Sequence, residues 1–281
     1  MQTMKIGTAT VPVLGMGTWH MGEMSPTRTQ MEVQSLRYGL DHGLRVIDTA
    51  EMYGDGAAER VVGTAIQGYP RDQVYLISKF YPWNGTKAGV RKALTASLNR
   101  LGTDYLDLYL LHWRGKVPLA ETIATLQELR KEGLIRQYGV SNFDVMDLQE
   151  ALAVDGGQGV VANEVLYNMA ARGIEYDLIP RQQLDKVALI GYSPYGSGAG
   201  LSIKLPQPLL ELAADKHITG HQLMLAWALR SGQVLSIPKA GTPEHMAENV
   251  AAAEVTITAT DDALISQYFP APVAKEPLKV I

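Results

Sequence analysis

At 281 residues, with 46% hydrophobic and 19% charged residues, the chain has apolar material for one large α/β core or two ordinary ones. A net charge of −4 and no dense Lys/Arg run exclude a nucleic-acid footprint. The lack of cysteine excludes disulfides and thiolate metal sites, and no apolar run reaches the ~18 residues of a membrane span. The segment Met1-Gln2-Thr3-Met4-Lys5 has no secretory apolar core, so a cytoplasmic address is expected.

In chain order, Met4-Lys5-Ile6-Gly7 and Val11-Pro12-Val13 predict a short β-hairpin. Eight strand-like runs follow, at 14–19, 45–49, 74–79, 106–112, 135–140, 160–164, 188–193 and 234–238. Amphipathic helical patterns fall between most of them, for instance at 29–41, 87–101 and 119–132. Gly43, Gly102 and Gly133 follow those three segments, as helix-terminating glycines do. Strands alternating with helices imply βα units and a parallel sheet. No linker or charge block divides the chain. The expected fold is therefore a single α/β domain over 1–281, a (β/α)₈ TIM barrel with the N-terminal hairpin capping its floor. The stretch between Tyr192 and Val234 reads as a long insert, opening on the glycine-rich segment Gly191 to Gly200. Its backbone N–H groups could wrap an anion, and phosphate sites in such barrels favour the last two βα loops.

Three ionisable residues, Asp48, Lys79 and His112, each close an apolar strand-like run. A polar group ending a buried strand needs a partner or a ligand, and in this architecture the C-terminal strand ends carry catalysis. Tyr53 follows Asp48 in the loop Met52-Tyr53-Gly54-Asp55-Gly56. A tyrosine hydroxyl has an ordinary pKa of about 10, but an adjacent ammonium favours phenolate and a carboxylate can hold that ammonium in place. Lys79 is expected to lower the pKa of Tyr53 in this way, with Asp48 behind it and His112 orienting a substrate oxygen. Such a site protonates a carbonyl oxygen while a cofactor adds a hydride to the carbon.

Over nearly its whole length the chain resembles an aldo-keto reductase. The resemblance rests on Gly15-Met16-Gly17-Thr18-Trp19, on His42 through Ala50 leading into Tyr53-Gly54, and on Ile77-Ser78-Lys79. It continues through Leu110-Leu111-His112-Trp113, Gly139-Val140-Ser141-Asn142-Phe143 and Ile237-Pro238-Lys239. It implies that Asp48, Tyr53, Lys79 and His112 are the catalytic tetrad, with Tyr53 as general acid. It also implies NADPH as cofactor, with NADH possible at lower affinity. Thr18, Trp19 and Asp48 would contact the cofactor, Ser141, Asn142 and Glu164 would meet its nicotinamide carboxamide, and Tyr192 would stack on the nicotinamide ring. Ser193, Pro194, Tyr195, Gly196, Ser197, Gly198 and Leu201 would lie along the pyrophosphate. Lys239 and Thr242, within the run Ile237, Pro238, Lys239, Ala240, Gly241, Thr242, would meet the adenosine 2′-phosphate, and Glu248 and Asn249 the adenine.

Four positions depart from the family pattern. Glu164 replaces a glutamine, so it can accept from an amide but donates only if protonated. His245 stands where many members have a phosphate-gripping arginine, Ala240 replaces a serine, and Arg114 a proline. The first three narrow the expected preference for NADPH. Trp19, Tyr81, Trp83 and Trp113 are expected to wall the substrate pocket, suiting small carbonyls of broad type. The tail after Phe269, with Pro270, Pro272 and Pro277, is short for a specificity-setting loop. The expected protein is a monomeric carbonyl reductase with small-molecule partners and neither nucleic-acid nor membrane partners. Two rivals are a nicotinamide-binding regulatory barrel and a metal-dependent barrel hydrolase. The second needs a ligand pattern that the six histidines do not form: only His217 and His221 stand at i, i+4, and Ile218 occupies the place of the zincin glutamate. No metal ligand is expected.

Overall fold

The computed structural model describes residues 1–196 and 202–281, so the expected cofactor contacts Ser197, Gly198 and Leu201 lie outside the described residues. Strands β1 (Thr3–Ile6) and β2 (Ala9–Pro12) form the expected antiparallel hairpin. Eight parallel strands follow: β3 (Met16–Gly17), β4 (Val46–Asp48), β5 (Tyr75–Phe80), β6 (Leu106–Leu111), β7 (Ile135–Ser141), β8 (Val160–Leu166), β9 (Ala188–Tyr192) and β10 (Val234–Ser236). They pair strictly in sequence order from β3 to β10. The seam between first and last strands closes through Gly15 N–H to Ser236 O (2.8 Å), Ser236 N–H to Val13 O (2.9 Å) and Gly17 N–H to Pro238 O (3.0 Å). The result is a (β/α)₈ barrel.

The helices are α1 (Pro26–Asp41), α2 (Ala57–Ala65), α3 (Lys87–Leu101), α4 (Leu119–Lys131), α5 (Val145–Ala153) and α6 (Leu178–Asp185). After β9 come α7 (Gln207–Asp215) and α8 (Gly220–Leu229), and after β10 come α9 (Pro243–Ala252) and α10 (Ala259–Tyr268). Local chemistry fixes their starts. Ser25, Thr86 and Thr242 accept backbone N–H groups as N-caps, and Asp144, Thr219 and Thr258 do so within full capping boxes. Gly43, Gly102 and Gly133 all adopt positive φ, as their positions after helical segments require.

The insert expected between Tyr192 and Val234 carries two helices, α7 and α8, from Gln207 onward. Residues Leu223 to Leu229 of α8 are all buried, so the helix is apolar all round and shows no amphipathic period.

Strand alternation splits the core into two layers. Val46, Ile77, Leu108, Leu110, Ala162, Ile190 and Leu235 point into the barrel, while Leu76, Tyr109 and Leu111 pack outward under the helices. Ile6 and Val11 of the hairpin join the inner cluster, and Thr8 N–H donates to Gln137 Oε1 (3.2 Å) of β7. The hairpin thus plugs the barrel floor. Continuing the inward period beyond the apolar layer reaches Asp48, Lys79, His112, Ser141, Glu164, Tyr192 and Lys239. All but Lys79 line the cleft above, and Lys79 lies buried beneath it.

Candidate active site

The cleft, of about 330 Å³, runs across the C-terminal strand ends from Tyr53 and His112 to Lys239. At its base Lys79 is fully buried, and its Nζ donates to both Asp48 oxygens (2.6 and 2.7 Å) and to Thr49 O (3.1 Å). The same ammonium stands 3.3 Å from the Tyr53 hydroxyl and 3.2 Å from Glu164 Oε1. His112 meets the Tyr53 ring edge-on at 5.9 Å. All four residues of the expected tetrad are gathered at one point, together with a second carboxylate.

That second carboxylate changes the electrostatics. Burial opposes a charge on Lys79, but Asp48 and Glu164 outweigh it and push Lys79 up, so it stays an ammonium. Burial, and then the neighbouring Asp48, holds Glu164 well above the usual carboxylate range. One ammonium facing one carboxylate and one carboxylic acid leaves the cluster neutral, which a dry site favours. Lys79 does lower the Tyr53 pKa, as expected, but it does not bring the hydroxyl below its ordinary value. Burial pushes that hydroxyl up, Asp48 and Glu164 push the same way, and Lys79 offsets them only in part. Burial also presses His112 down to about 3, with Lys79 adding to the effect. At neutral pH the cleft therefore presents an intact phenol and a neutral imidazole.

Asn142, in a left-handed conformation (φ 57°), laces three strand ends together. Its Nδ2 donates to His112 O (3.1 Å), and its Oδ1 accepts from the Tyr192 hydroxyl (2.8 Å). Ser141 Oγ donates to Glu164 O (3.0 Å), and Thr18 Oγ1 donates to Asp48 O (2.9 Å). Two buried polar atoms, His112 Nδ1 and Glu164 Oε2, have no partner among the described residues, and both belong to cleft-lining residues. Ser193, with φ 53°, follows β9, and its carbonyl accepts from Asn168 Nδ2 (2.9 Å). Pro194, Tyr195 and Gly196 continue the wall, and the Tyr195 hydroxyl donates to Asn249 Oδ1 on α9.

Several expected contacts stand elsewhere. Trp19 lines the cleft, whereas Tyr81, Trp83 and Trp113 pack on one another beside it: Tyr81 stacks on Trp83 at 4.2 Å, and Trp113 meets both edge-on. Among the expected residues near the last strand, Ile237 and Lys239 line the cleft, while Ala240 is buried in the outer core. Thr242 is occupied as the N-cap of α9, where it accepts the His245 N–H (3.3 Å). His245 and Glu248 are exposed on that helix. Ile281 lines the cleft and hydrogen-bonds the Tyr192 hydroxyl through its backbone, so the tail reaches the site despite its shortness. Arg114 makes a two-pronged ion pair with Glu150 of α5 (3.1 and 2.9 Å) and donates to Val117 O, bracing the loop after β6.

The sequence reading passed over Arg28. It lies in the first turn of α1, where the helix dipole disfavours a cation. That misplacement is the signal that could have flagged it.

The Aldo/keto reductase family model matches residues 13–268. The chain is 43% identical to "Methylglyoxal reductase YeaE" of Escherichia coli over 98% of this chain and 97% of that one. A further Escherichia coli relative, an "NADH-specific methylglyoxal reductase", is 27% identical over 95% of this chain and 98% of its own. Among solved structures, the aldo/keto reductase from Klebsiella pneumoniae in complex with NADP and acetate superposes with a TM-score of 0.96. It is 45% identical and covers 100% of this chain and 99% of that one. With barrel, cleft and motifs in agreement, the chain belongs to the aldo/keto reductase family and is an oxidoreductase acting on carbonyl compounds.

Proposed function

We propose that the protein reduces small aldehydes and ketones to alcohols with NADPH, using NADH at lower affinity, and that Tyr53 is the general acid. The observation that carries this reading is the Tyr53 hydroxyl in the cleft, 3.3 Å from a fully buried ammonium and beside a neutral histidine. The residues fit the cofactor. Among the described residues His112 Nδ1 and Glu164 Oε2 are polar atoms without a partner in the cleft wall, and the Lys239 ammonium stands at its far end.

Lys79 and Asp48 are already paired before any substrate arrives, so no charge has to be assembled during the reaction. A neutral His112 donates one ring N–H to a carbonyl oxygen and aims it at Tyr53 without adding a charge. The raised Tyr53 keeps its proton across neutral pH and releases it only to a stronger base. As the carbonyl oxygen becomes alkoxide-like it is such a base, so the phenol proton passes to it and Lys79 stabilises the phenolate left behind. Bound NADPH supplies the hydride to the carbonyl carbon. Tyr192, Asn142 and Ser141 hold the nicotinamide end, and the neutral carboxylic acid of Glu164 can donate to a carboxamide oxygen, as glutamine would. Trp19, Met52 and Ile237 give an apolar wall that takes small carbonyls, and the resemblance to methylglyoxal reductases points to reactive dicarbonyls as a substrate class.

Tyr53→Phe is the test. The variant should lose roughly 10²–10⁴-fold in kcat while NADPH affinity stays near normal, because only the proton donor is removed. A variant that keeps a third of wild-type turnover refutes the assignment.

A further inference from the structure

The arrangement at the far end of the cleft bears on cofactor choice, and the inference rests on the reading that NADPH is the cofactor. The family's arginine on α9 is replaced by His245, which is exposed. Lys239 stands at the cleft end of the last strand, half-buried. Arg28 of α1 stands beside it. Its Nε lies 3.7 Å from Glu32 Oε1, and Lys239 Nζ lies 4.0 Å from the same oxygen. Glu32 is buried, and its other oxygen accepts the Gly22 N–H (2.8 Å), which leaves Oε1 without a hydrogen-bond partner between the two cations. A Cβ on Gly241 would run into an Arg28 guanidinium nitrogen and would lie 3.1 Å from Lys239 Nζ. Glycine at 241 therefore lets a guanidinium and an ammonium converge on one spot.

We infer that Arg28 is the fork that grips the adenosine 2′-phosphate, acting with Lys239 and replacing the arginine absent at 245. Both cations border one buried carboxylate that hydrogen-bonds neither of them, and they repel each other until an anion arrives. Burial, followed by repulsion from Arg28, presses Lys239 below its usual range, while Glu32 and Glu23 pull the other way. A phosphate dianion relieves that repulsion, and a guanidinium presents paired donors to it where an ammonium offers a point charge. The N-terminus of α9, capped by Thr242 with Pro243 at its first position, starts immediately after Gly241 and adds a positive dipole end. Glu32 is the positioning residue: anchored by Gly22, it holds both cations from below.

The experiment is a set of dissociation constants, measured by tryptophan fluorescence quenching for NADPH and NADH and by calorimetry for 2′,5′-ADP. Arg28→Ala should weaken NADPH and 2′,5′-ADP by about tenfold to a hundredfold and leave NADH unchanged. Unchanged NADH binding also shows that the barrel is folded. Gly241→Ala, which displaces the guanidinium without removing it, should weaken the same two ligands by a smaller factor. If wild type prefers NADPH and Arg28→Ala keeps that preference, the assignment of Arg28 is wrong and Lys239 suffices. If wild type binds NADH as tightly as NADPH, the cofactor reading itself fails.

Discussion

Glu164 shows how one residue can alter the chemistry of its neighbours. With Glu164 ionised, Lys79 would face two buried carboxylates and the cluster would carry an uncompensated negative charge, a costly state in a dry site. Its carboxyl is instead held well above the usual range, by burial first and Asp48 second. The folded protein therefore holds a proton that the unfolded chain releases above an ordinary glutamate value of about 4.3. Where the folded state binds more protons, stability falls as pH rises, so Glu164 costs progressively more above that value up to its folded pKa. Glu164→Gln removes the titration. The Tm of the variant relative to wild type should climb between about pH 5 and pH 8, measured without cofactor by calorimetry. A difference that is flat or declines with pH shows Glu164 ionised in the folded protein. His112 acts in the opposite sense. Pressed down to about 3, it gives stability that is full above about 6.5 and lost as pH falls toward 3. His112→Gln should therefore flatten the acid side of the stability curve, most clearly below about pH 4.3, where Glu164→Gln has little effect.

At the scale of elements, the strand ends were legible because inward alternation is a short-range rule that carries straight from apolar core to polar rim. Val46 to Asp48, Ile77 to Lys79 and Leu110 to His112 each differ by one inward step. α8 was not legible as a helix, since a segment buried on every side loses the period that would reveal it. Ile281 escaped for another reason: it joins the cleft through contacts distant in sequence, which no local pattern encodes. The same is true of the buried charge between α2, α3 and β5. Glu59 on α2 is fully buried, accepts from Ser78 Oγ (2.6 Å) and takes the Arg100 guanidinium of α3 at 2.5 Å. Arg100→Met strands that carboxylate and should cost about 3–5 kcal/mol in urea unfolding, whereas pairing it with Glu59→Leu should recover most of the loss. If the single variant is as stable as wild type, Glu59 is not charged in the folded protein.

For the whole molecule, the decisive contact is the seam that closes the barrel. Gly17 on β3 passes so near the last strand that an added Cβ would lie 2.5 Å from Ile237 O and 3.4 Å from Ile237 C, with Lys239 N at 3.6 Å. The backbone bond from Gly17 N–H to Pro238 O (3.0 Å) holds the two strands at that spacing. Both ends of the cleft hang on the seam. Thr18 and Trp19 follow Gly17 directly, and Lys239 pairs with Gly17 across it. An alanine at 17 pushes backbone against backbone, where no side chain can swing away, so the first and last strands must part. Gly17→Ala should cost roughly 1–3 kcal/mol, as overpacking does. It should also weaken NADPH and NADH together, because the nicotinamide wall and the phosphate cation shift as one. That common loss separates the seam from Arg28, whose replacement is expected to spare NADH. The two effects are read from the same pair of titrations plus a thermal melt. A Gly17→Ala variant with wild-type Tm, or one that loses NADPH affinity alone, would show that the cleft is held by the helices around the barrel rather than by its closure.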